Sequence, residues 1–341
     1  MQKLAIFYGY PSLVNSSRGD GEKAAAVFAP YDVVVWGDGL EFSDRQAGRH
    51  PEGDPTEHEK ALLVINAAHR TNPTMRFYGY VCLGEIPGVK VVLSEAEMKE
   101  RIRLWRQMGA AGIFLDEAGY DFAGVTRERQ NAMIQFIHGL GMSAFMNAYF
   151  VEDLFGTEGD TPHAGGGNRN PKRLPSALDG RDLFLLESFP IANGSYQETS
   201  TWQERLQKAL GYRERFGVRI FATTTAKPGQ TFDPAQFDFA WWCARLHDLD
   251  GFGWGEPEFS ARDNQLPWRD CKADARLVAD LETDSSVSSD GRRFWRQAGK
   301  SLILLNAENH TVEKISGATG ATGTGAARMA SGVALNCSGP K

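Results

Sequence analysis

The sequence predicts an α/β chain folded as a (β/α)8, or TIM, barrel with a small C-terminal β-hairpin extension, and three observations predict it. Eight short apolar runs alternate with longer segments of helical period, the succession a parallel sheet with covering helices requires. None of those runs is followed by a two-residue hairpin turn, which leaves parallel crossovers as the connection. The conspicuous polar side chains fall at the carboxyl ends of the runs, where the loops of such a barrel form one mouth. A doubly wound open sheet is the structural alternative. It would carry a Gly-rich phosphate turn after its first strand, where this chain reads Tyr8-Gly9-Tyr10-Pro11.

The elements follow in order. Leu4 to Tyr8 is an apolar first strand, Glu22 to Phe28 a short helix, and Val33 to Trp36 a second strand leading into a charged loop from Ser43 to Thr56. Glu57 to His69 reads as a helix and Arg76 to Cys82 as the third strand. Ser94 to Met108 is a helix opened by a capping box, Ser94 with Glu97 three residues on. Gly112 to Asp116 is the fourth strand, Arg127 to Leu140 a helix, and Ser143 to Asn147 the fifth strand. A Gly-rich excursion from Gly156 to Asn170 then breaks the rhythm, and functional loops are the usual home of such length. Leu183 to Glu187 is the sixth strand, Thr201 to Phe216 a helix, Val218 to Thr223 the seventh strand, Pro234 to His247 a helix, and Gly251 to Trp254 the eighth strand. The barrel is expected over residues 1–258 and the extension over 259–341, with a hairpin from Phe294-Trp295 to Ser301–Asn306 and a Gly/Ala/Thr-rich tail that reads as a linker.

At 341 residues the chain fits one large barrel of roughly 250 residues with an appendage. Its 42% hydrophobic residues and eight Trp can fill a sizeable core. A formal charge of −6 argues against nucleic acid or an anionic membrane as partner, because both need a basic field. No run approaches the ~18 apolar residues of a membrane span. No signal peptide precedes the first strand, so the cellular address stays unassigned, although extracellular or cell-surface action would suit a polysaccharide substrate. Cys82, Cys243, Cys271 and Cys337 lack zinc-site spacing; Cys82 and Cys243 read as reduced core thiols, and no disulfide is required. The histidines show no ligand spacing, so no metal and no other cofactor is expected. No Gly-x-Ser-x-Gly elbow marks a serine nucleophile.

A carboxylate at the exit of a buried strand is costly unless it has partners or work to do. Gly112-Ile-Phe-Leu-Asp116-Glu117 ends in two, and Leu183-Phe-Leu-Leu-Glu187 in a third. Side chains alternate across a strand, so Asp116 shares a face with Phe114, Asn147 with Phe145 and Glu187 with Leu185, whereas Glu117 lies on the other face. Asp116 and Glu187 are therefore assigned as a pair of acids converging on one mouth, the requirement of glycosidic cleavage. Glu117 shapes the loop or supports Asp116. Tyr8, Tyr10, Trp36, Asp38, Tyr80, Glu85, Glu117, Asn147, Tyr149, Trp254 and Glu256, also at strand ends, are the expected substrate contacts, the aromatic rings offering flat faces to sugars.

The chain resembles the clan of (β/α)8 glycosidases that includes the endo-α-1,4-polygalactosaminidases and the related spherulin-like hydrolases, glycoside hydrolase families 114, 135 and 166. The resemblance is carried by Phe77-Tyr78-Gly79-Tyr80-Val81 with Gly84-Glu85, by Gly112 to Glu117, by Asn147 and by Leu186-Glu187-Ser188, and it spans about Leu4 to Glu256. It implies endo-cleavage of α-1,4-linked galactosamine or N-acetylgalactosamine polymers, with Asp116 as nucleophile and Glu187 as acid/base. The Gly156 to Asn170 insertion and the tail depart from the pattern. Two other readings stand beside this one: a carbohydrate-binding or virion-type structural barrel that does not cleave, and a metal-assisted hydrolase using the carboxylates as ligands.

Overall fold

The structure is a computed structural model and describes residues 1–37, 39–43, 54–85, 92–165, 167–271, 281, 287–316 and 333–335. Eight parallel strands close into a barrel: β1 (Gln2–Phe7), β2 (Val33–Trp36), β3 (Arg76–Cys82), β4 (Gly112–Asp116), β5 (Ser143–Asn147), β6 (Leu183–Leu186), then β9 (Arg219–Thr223) and β10 (Gly251–Gly253), with β10 pairing back to β1. Between β6 and β9 the chain makes a small hairpin of β7 (Ile191–Ala192) and β8 (Ser195–Tyr196). Its turn, Asn193-Gly194, has positive φ at both residues (48° and 68°), the two-residue turn that Asn-Gly favours. That signal is visible in the sequence and was not among the expected elements.

The helices are α1 (Gly21–Phe28), α2 (Pro55–Thr71), α3 (Glu95–Gln107), α4 (Arg127–Gly139), the short α5 (Glu152–Phe155), α6 (Thr199–Phe216) and α7 (Pro234–Leu246). Their starts are chemically marked. Asp20, Asp54, Thr126 and Asp233 each accept backbone N–H bonds from the first turn, and Pro55 and Pro234 follow two of them. The Ser94–Glu97 capping box forms as expected. Each such cap is worth about 1 kcal/mol.

Two apolar layers result. Inside the barrel lie Leu4, Ile6, Val33, Val35, Tyr78, Tyr80, Phe114, Phe145, Leu183, Leu185 and Phe221, the alternate residues of each strand. The other faces pack outward against the helices. β10 contributes no side chain inward: a Cβ on Gly251 would stand 2.1 Å from the Phe221 ring, so Phe221 fills the space that strand leaves empty.

Three arginines staple the loops at the mouth. Arg127, fully buried, donates to the carbonyls of Asp153, Leu154 and Gly156; Arg129 donates to Leu83 and Leu93; Arg205 donates to Tyr149 and Glu187. A planar guanidinium can satisfy several diverging carbonyls at once, which a lysine cannot.

The C-terminal region differs from the expected hairpin. β12 (Arg293–Ala298) and β13 (Ser301–Asn306) do pair around Gly299, but they belong to a five-stranded antiparallel sheet with β11 (Ser288–Ser289), β14 (Thr311–Ser316) and β15 (Val333–Ala334). The sheet packs on α7, and its Phe294 meets Trp202 of α6. The cysteines also depart in part from expectation. Cys82 and Cys243 are free and buried, whereas Cys271 is disulfide-bonded. The Gly/Ala/Thr-rich tail from Gly317 lies outside the described residues. Among the described residues no helix is long and apolar enough to cross a membrane.

Candidate active site

β4, β5 and β6 are neighbours in the sheet, and their inward parity continues past the apolar layer into Asp116, Asn147 and Glu187. The Asn147 amide lies between the acids. Its Nδ2 donates to Asp116 Oδ1 at 2.9 Å and to Glu187 Oε2 at 2.7 Å. Those two oxygens can be no farther apart than the two bonds laid end to end, about 5.6 Å, and stand roughly 4.9 Å apart if the amide hydrogens diverge at ~120°. Tyr8, from the end of β1, donates from its hydroxyl to Asp116 Oδ2 across a long 3.5 Å. Tyr80 stands edge-on beneath Tyr8 at 5.3 Å, and Phe259 packs against Tyr8 at 5.4 Å.

The electrostatics shift two of these groups in the same direction. Burial, and then the negative charge of Asp116, push the Glu187 carboxyl above the usual glutamate value; the Asn147 bond and the Arg205 charge oppose this less strongly. Burial, followed by the charges of Asp116, Glu187 and Glu117, pushes the Tyr8 hydroxyl well above the usual tyrosine value. Tyr8 is accordingly a neutral donor at any working pH. Glu187, through its own upward shift, is disposed to hold a proton.

The backbone around Glu187 is fixed on both sides. Ser188 turns with φ 59°, its hydroxyl bonds Thr225 Oγ1 at 2.9 Å, and its carbonyl accepts from Gln197 Nε2. Behind the strand, Arg205 Nη1 donates to the Glu187 carbonyl at 3.0 Å and Nε to the Tyr149 carbonyl at 3.2 Å, while its guanidinium lies over the Tyr149 ring at 4.0 Å. Arg205 was not anticipated from sequence. The signal was available: it occupies the buried stripe Trp202, Arg205, Leu206, Ala209, where an arginine must find partners.

The other expected contacts divide. Tyr10 and Tyr149 are exposed, 45% and 44%, at the rim, and the half-buried Glu117 lies close enough for its charge to act on Tyr8. Glu85 is half-buried and bridges backbone to Ala123. Trp36 is corrected: it faces outward with the parity of Val34 and is sealed against Phe28 and Phe77 between barrel and helices. Trp254 is corrected likewise, packing outward on Phe232 and Phe237. Glu256 goes with it, accepting from Trp254 Nε1 at 2.6 Å. Asp38 lies outside the described residues.

His138, Asp179 and Asp182 are, among the described residues, a group whose ligand atoms lie within 4.8 Å of one another. They sit at the opposite end of the barrel. Both Asp182 oxygens already accept protein N–H groups, so the cluster reads as a structural clasp.

No family model and no curated protein sequence matches the chain. Among solved structures it is similar to α-galactosidase I from Mortierella vinacea, with 11% identity and a TM-score of 0.48 over 89% of this chain and 81% of that one. It is also similar to α-galactosidase from Saccharomyces cerevisiae with raffinose, at 11% identity and 0.47 over 93% and 74%, and to 3-dehydroquinate dehydratase from Geobacillus kaustophilus, at 13% and 0.41 over 83% and 88%. Likenesses this distant carry no argument about chemistry. Glycosidases and a dehydratase appear together, as expected of a barrel that hosts many reactions.

Proposed function

We propose that the chain is a retaining endo-glycosidase acting on an amino-sugar polysaccharide of the α-1,4-galactosamine or N-acetylgalactosamine type, with Asp116 as nucleophile and Glu187 as acid/base. The observation that supports this reading is the Asn147 amide shared between two carboxylates, which holds the two oxygens it bonds within about 5.6 Å of each other. Retaining glycosidases need about 5–5.5 Å so that one carboxylate reaches the anomeric carbon directly; inverting enzymes need roughly 6.5–9.5 Å to admit a water.

Asp116 accepts bonds from Asn147 and Tyr8, which orient its carboxyl toward the mouth as a nucleophile requires. Its oxygen attacks the anomeric carbon while Glu187 gives its proton to the glycosidic oxygen. The carbon–oxygen bond breaks, the leaving chain departs with that proton, and the sugar remains bound to Asp116 as an ester. Glu187, now a carboxylate, takes a proton from water; the resulting hydroxide equivalent attacks the same carbon and frees Asp116. The substrate class rests on the resemblance of the strand-end motifs and on a net charge of −6, which suits neutral or cationic sugars.

The test is mass spectrometry of products from galactosamine and N-acetylgalactosamine oligomers incubated with the wild type, Asp116→Asn and Glu187→Gln, together with NMR of the first-formed anomer. Fragments from the wild type alone, with retained configuration, are the expected result. Intact oligomers after wild-type treatment would sink the amino-sugar assignment and favour a binding barrel or a different glycan. An inverted first product would sink the nucleophile role of Asp116.

A further inference from the structure

Two lines of contact run from the C-terminal sheet to the backbone that carries Glu187, and the mechanism above uses neither. The first starts at His310, the last residue of the turn between β13 and β14. Its ring stacks on Tyr196 of β8 with centroids 3.6 Å apart and 9° between planes, and Phe239 of α7 stands edge-on to both rings, at 5.5 and 5.3 Å. The next residue along the chain, Gln197, donates from Nε2 to the Ser188 carbonyl and from its backbone N–H to the Pro190 carbonyl at 3.0 Å. The second line starts at Phe294 of β12, which meets Trp202 of α6 at 5.0 Å. Trp202 stands edge-on to Phe189 at 5.5 Å and lies one helical turn before Arg205, the donor to the Glu187 carbonyl.

We infer that the C-terminal sheet positions the acid, with His310 and Phe294 as positioning residues that act on Glu187 through Gln197 and Arg205. The inference rests on the glycosidase reading and gives the sheet a part in it. Need argues for it first. Glu187 and Asp116 share one amide, and whenever both are charged they repel, so the backbone of the acid must be held from elsewhere. Ser188, the next residue, is a non-glycine at φ 59°, a conformation kept only where the surroundings fix it. The carbonyls of Ser188 and Glu187 are the atoms that Gln197 and Arg205 bond. A displacement of ~1 Å at a reacting group can cost on the order of 10²-fold in rate, so what holds these two donors bears on turnover.

Packing argues for it second. Phe189, Trp202 and Phe294 are all buried, so the second line is a column of rings in which a shift at one end is passed to the other. The first line is more open. Tyr196 and His310 are half-buried, which makes their stack the place where sheet and acid can be uncoupled without opening the core. The β7–β8 hairpin joins the two ends: β7 is bonded to Thr225 of the loop after β9, whereas Tyr196 of β8 meets the C-terminal sheet.

The experiment measures kcat/KM on two aryl glycosides of the same galactosamine oligomer, one releasing dinitrophenol, which departs without a proton, and one releasing phenol, which needs the acid. His310→Asn removes the ring and keeps a residue that tolerates the left-handed φ of 55°. It is expected to lower the phenol-releasing kcat/KM about tenfold more than the dinitrophenol-releasing one. The alkaline limb should move to lower pH as Glu187 loses burial and draws away from Asp116, the two influences that raise it. His310→Phe, which keeps the stack, should restore both readouts. Glu308→Ala, on the same turn and paired with the exposed Arg292, should leave both unchanged. Phe294→Leu should repeat the His310→Asn pattern in its folded fraction. Equal losses on both glycosides, or none, with an unmoved limb would make the sheet a stabilising appendage and overturn the inference while leaving the two-acid mechanism in place. A wild type inert on both glycosides would remove the glycosidase reading, and the inference with it.

Discussion

Asp182 and Glu187 flank the same strand, β6, one at its amino end and one at its carboxyl end, and their surroundings are opposite in kind. Asp182 is fully buried. Burial pushes its carboxyl up, but every named neighbour pulls it back: Ala144 N at 2.8 Å, Asp179 N at 2.9 Å and His138 Nε2 at 2.9 Å. At Glu187, burial and the largest neighbouring influence act together, because the next carboxylate is Asp116 and only the Asn147 bond and the Arg205 charge oppose them. Asp182 is surrounded by donors, as a carboxylate serving the fold requires. Glu187 is held beside a second carboxylate, the environment that the proposed acid/base role calls for.

The comparison breaks most visibly in activity. Glu187→Gln and Asp116→Asn should each lower kcat/KM on a cleaved oligomer by on the order of 10³-fold or more, with unchanged circular dichroism. Survival of activity in either would place that residue with Asp182 as a structural acid. The reverse outcome is expected of Asp182→Asn: a loss of about 1–3 kcal/mol and a Tm lower by roughly 3–10 °C, with kcat/KM of the folded fraction within twofold of wild type. Thermal melts beside initial rates decide it.

A finer cut goes through the amide. Asn147→Ala removes a bond that lowers the Glu187 pKa, so the alkaline limb of kcat/KM, where the acid loses its proton, should move to higher pH as the rate falls about tenfold. A limb that stays in place or moves down would contradict the shared-amide geometry. The smallest effect is on stability. Because the Glu187 pKa is raised on folding, its favourable contribution is present below the ordinary glutamate value and fades as pH rises through the raised one. Glu187→Gln should therefore melt one or two degrees higher than wild type at about pH 8, with the gap closing near pH 4. A variant less stable than wild type at alkaline pH would show that the carboxylate is a net support.

Much of this was legible from strand parity alone. The alternation that sets Asp116 with Phe114 also sets Asn147 with Phe145 and Glu187 with Leu185, and all three inner partners lie inside the barrel. The same parity applied to β2 and β10 would have turned Trp36 and Trp254 outward, since Val33, Val35, Gly251 and Gly253 take the inner face. Arg205 carries no strand-end signal, because it sits on the buried stripe of α6 and reaches the site through backbone carbonyls. The five-stranded C-terminal sheet was least legible. β11 and β15 are two residues each, too short for any periodicity, and the β15 pairing Lys314↔Val333 depends on contacts distant in sequence. The disulfide at Cys271 is of the same kind, since spacing along a chain says nothing of long-range approach.

Asp116, Asn147 and Glu187 come from strands consecutive both in the chain and in the sheet. The constellation is therefore portable. A segment running from β4 to β9 carries Asp116, Asn147 and Glu187 together, with Tyr8 the contact to Asp116 that comes from outside it. The loops of the first three strands and the C-terminal sheet lie outside that contiguous block, so changes there can alter what the mouth admits without displacing the three side chains.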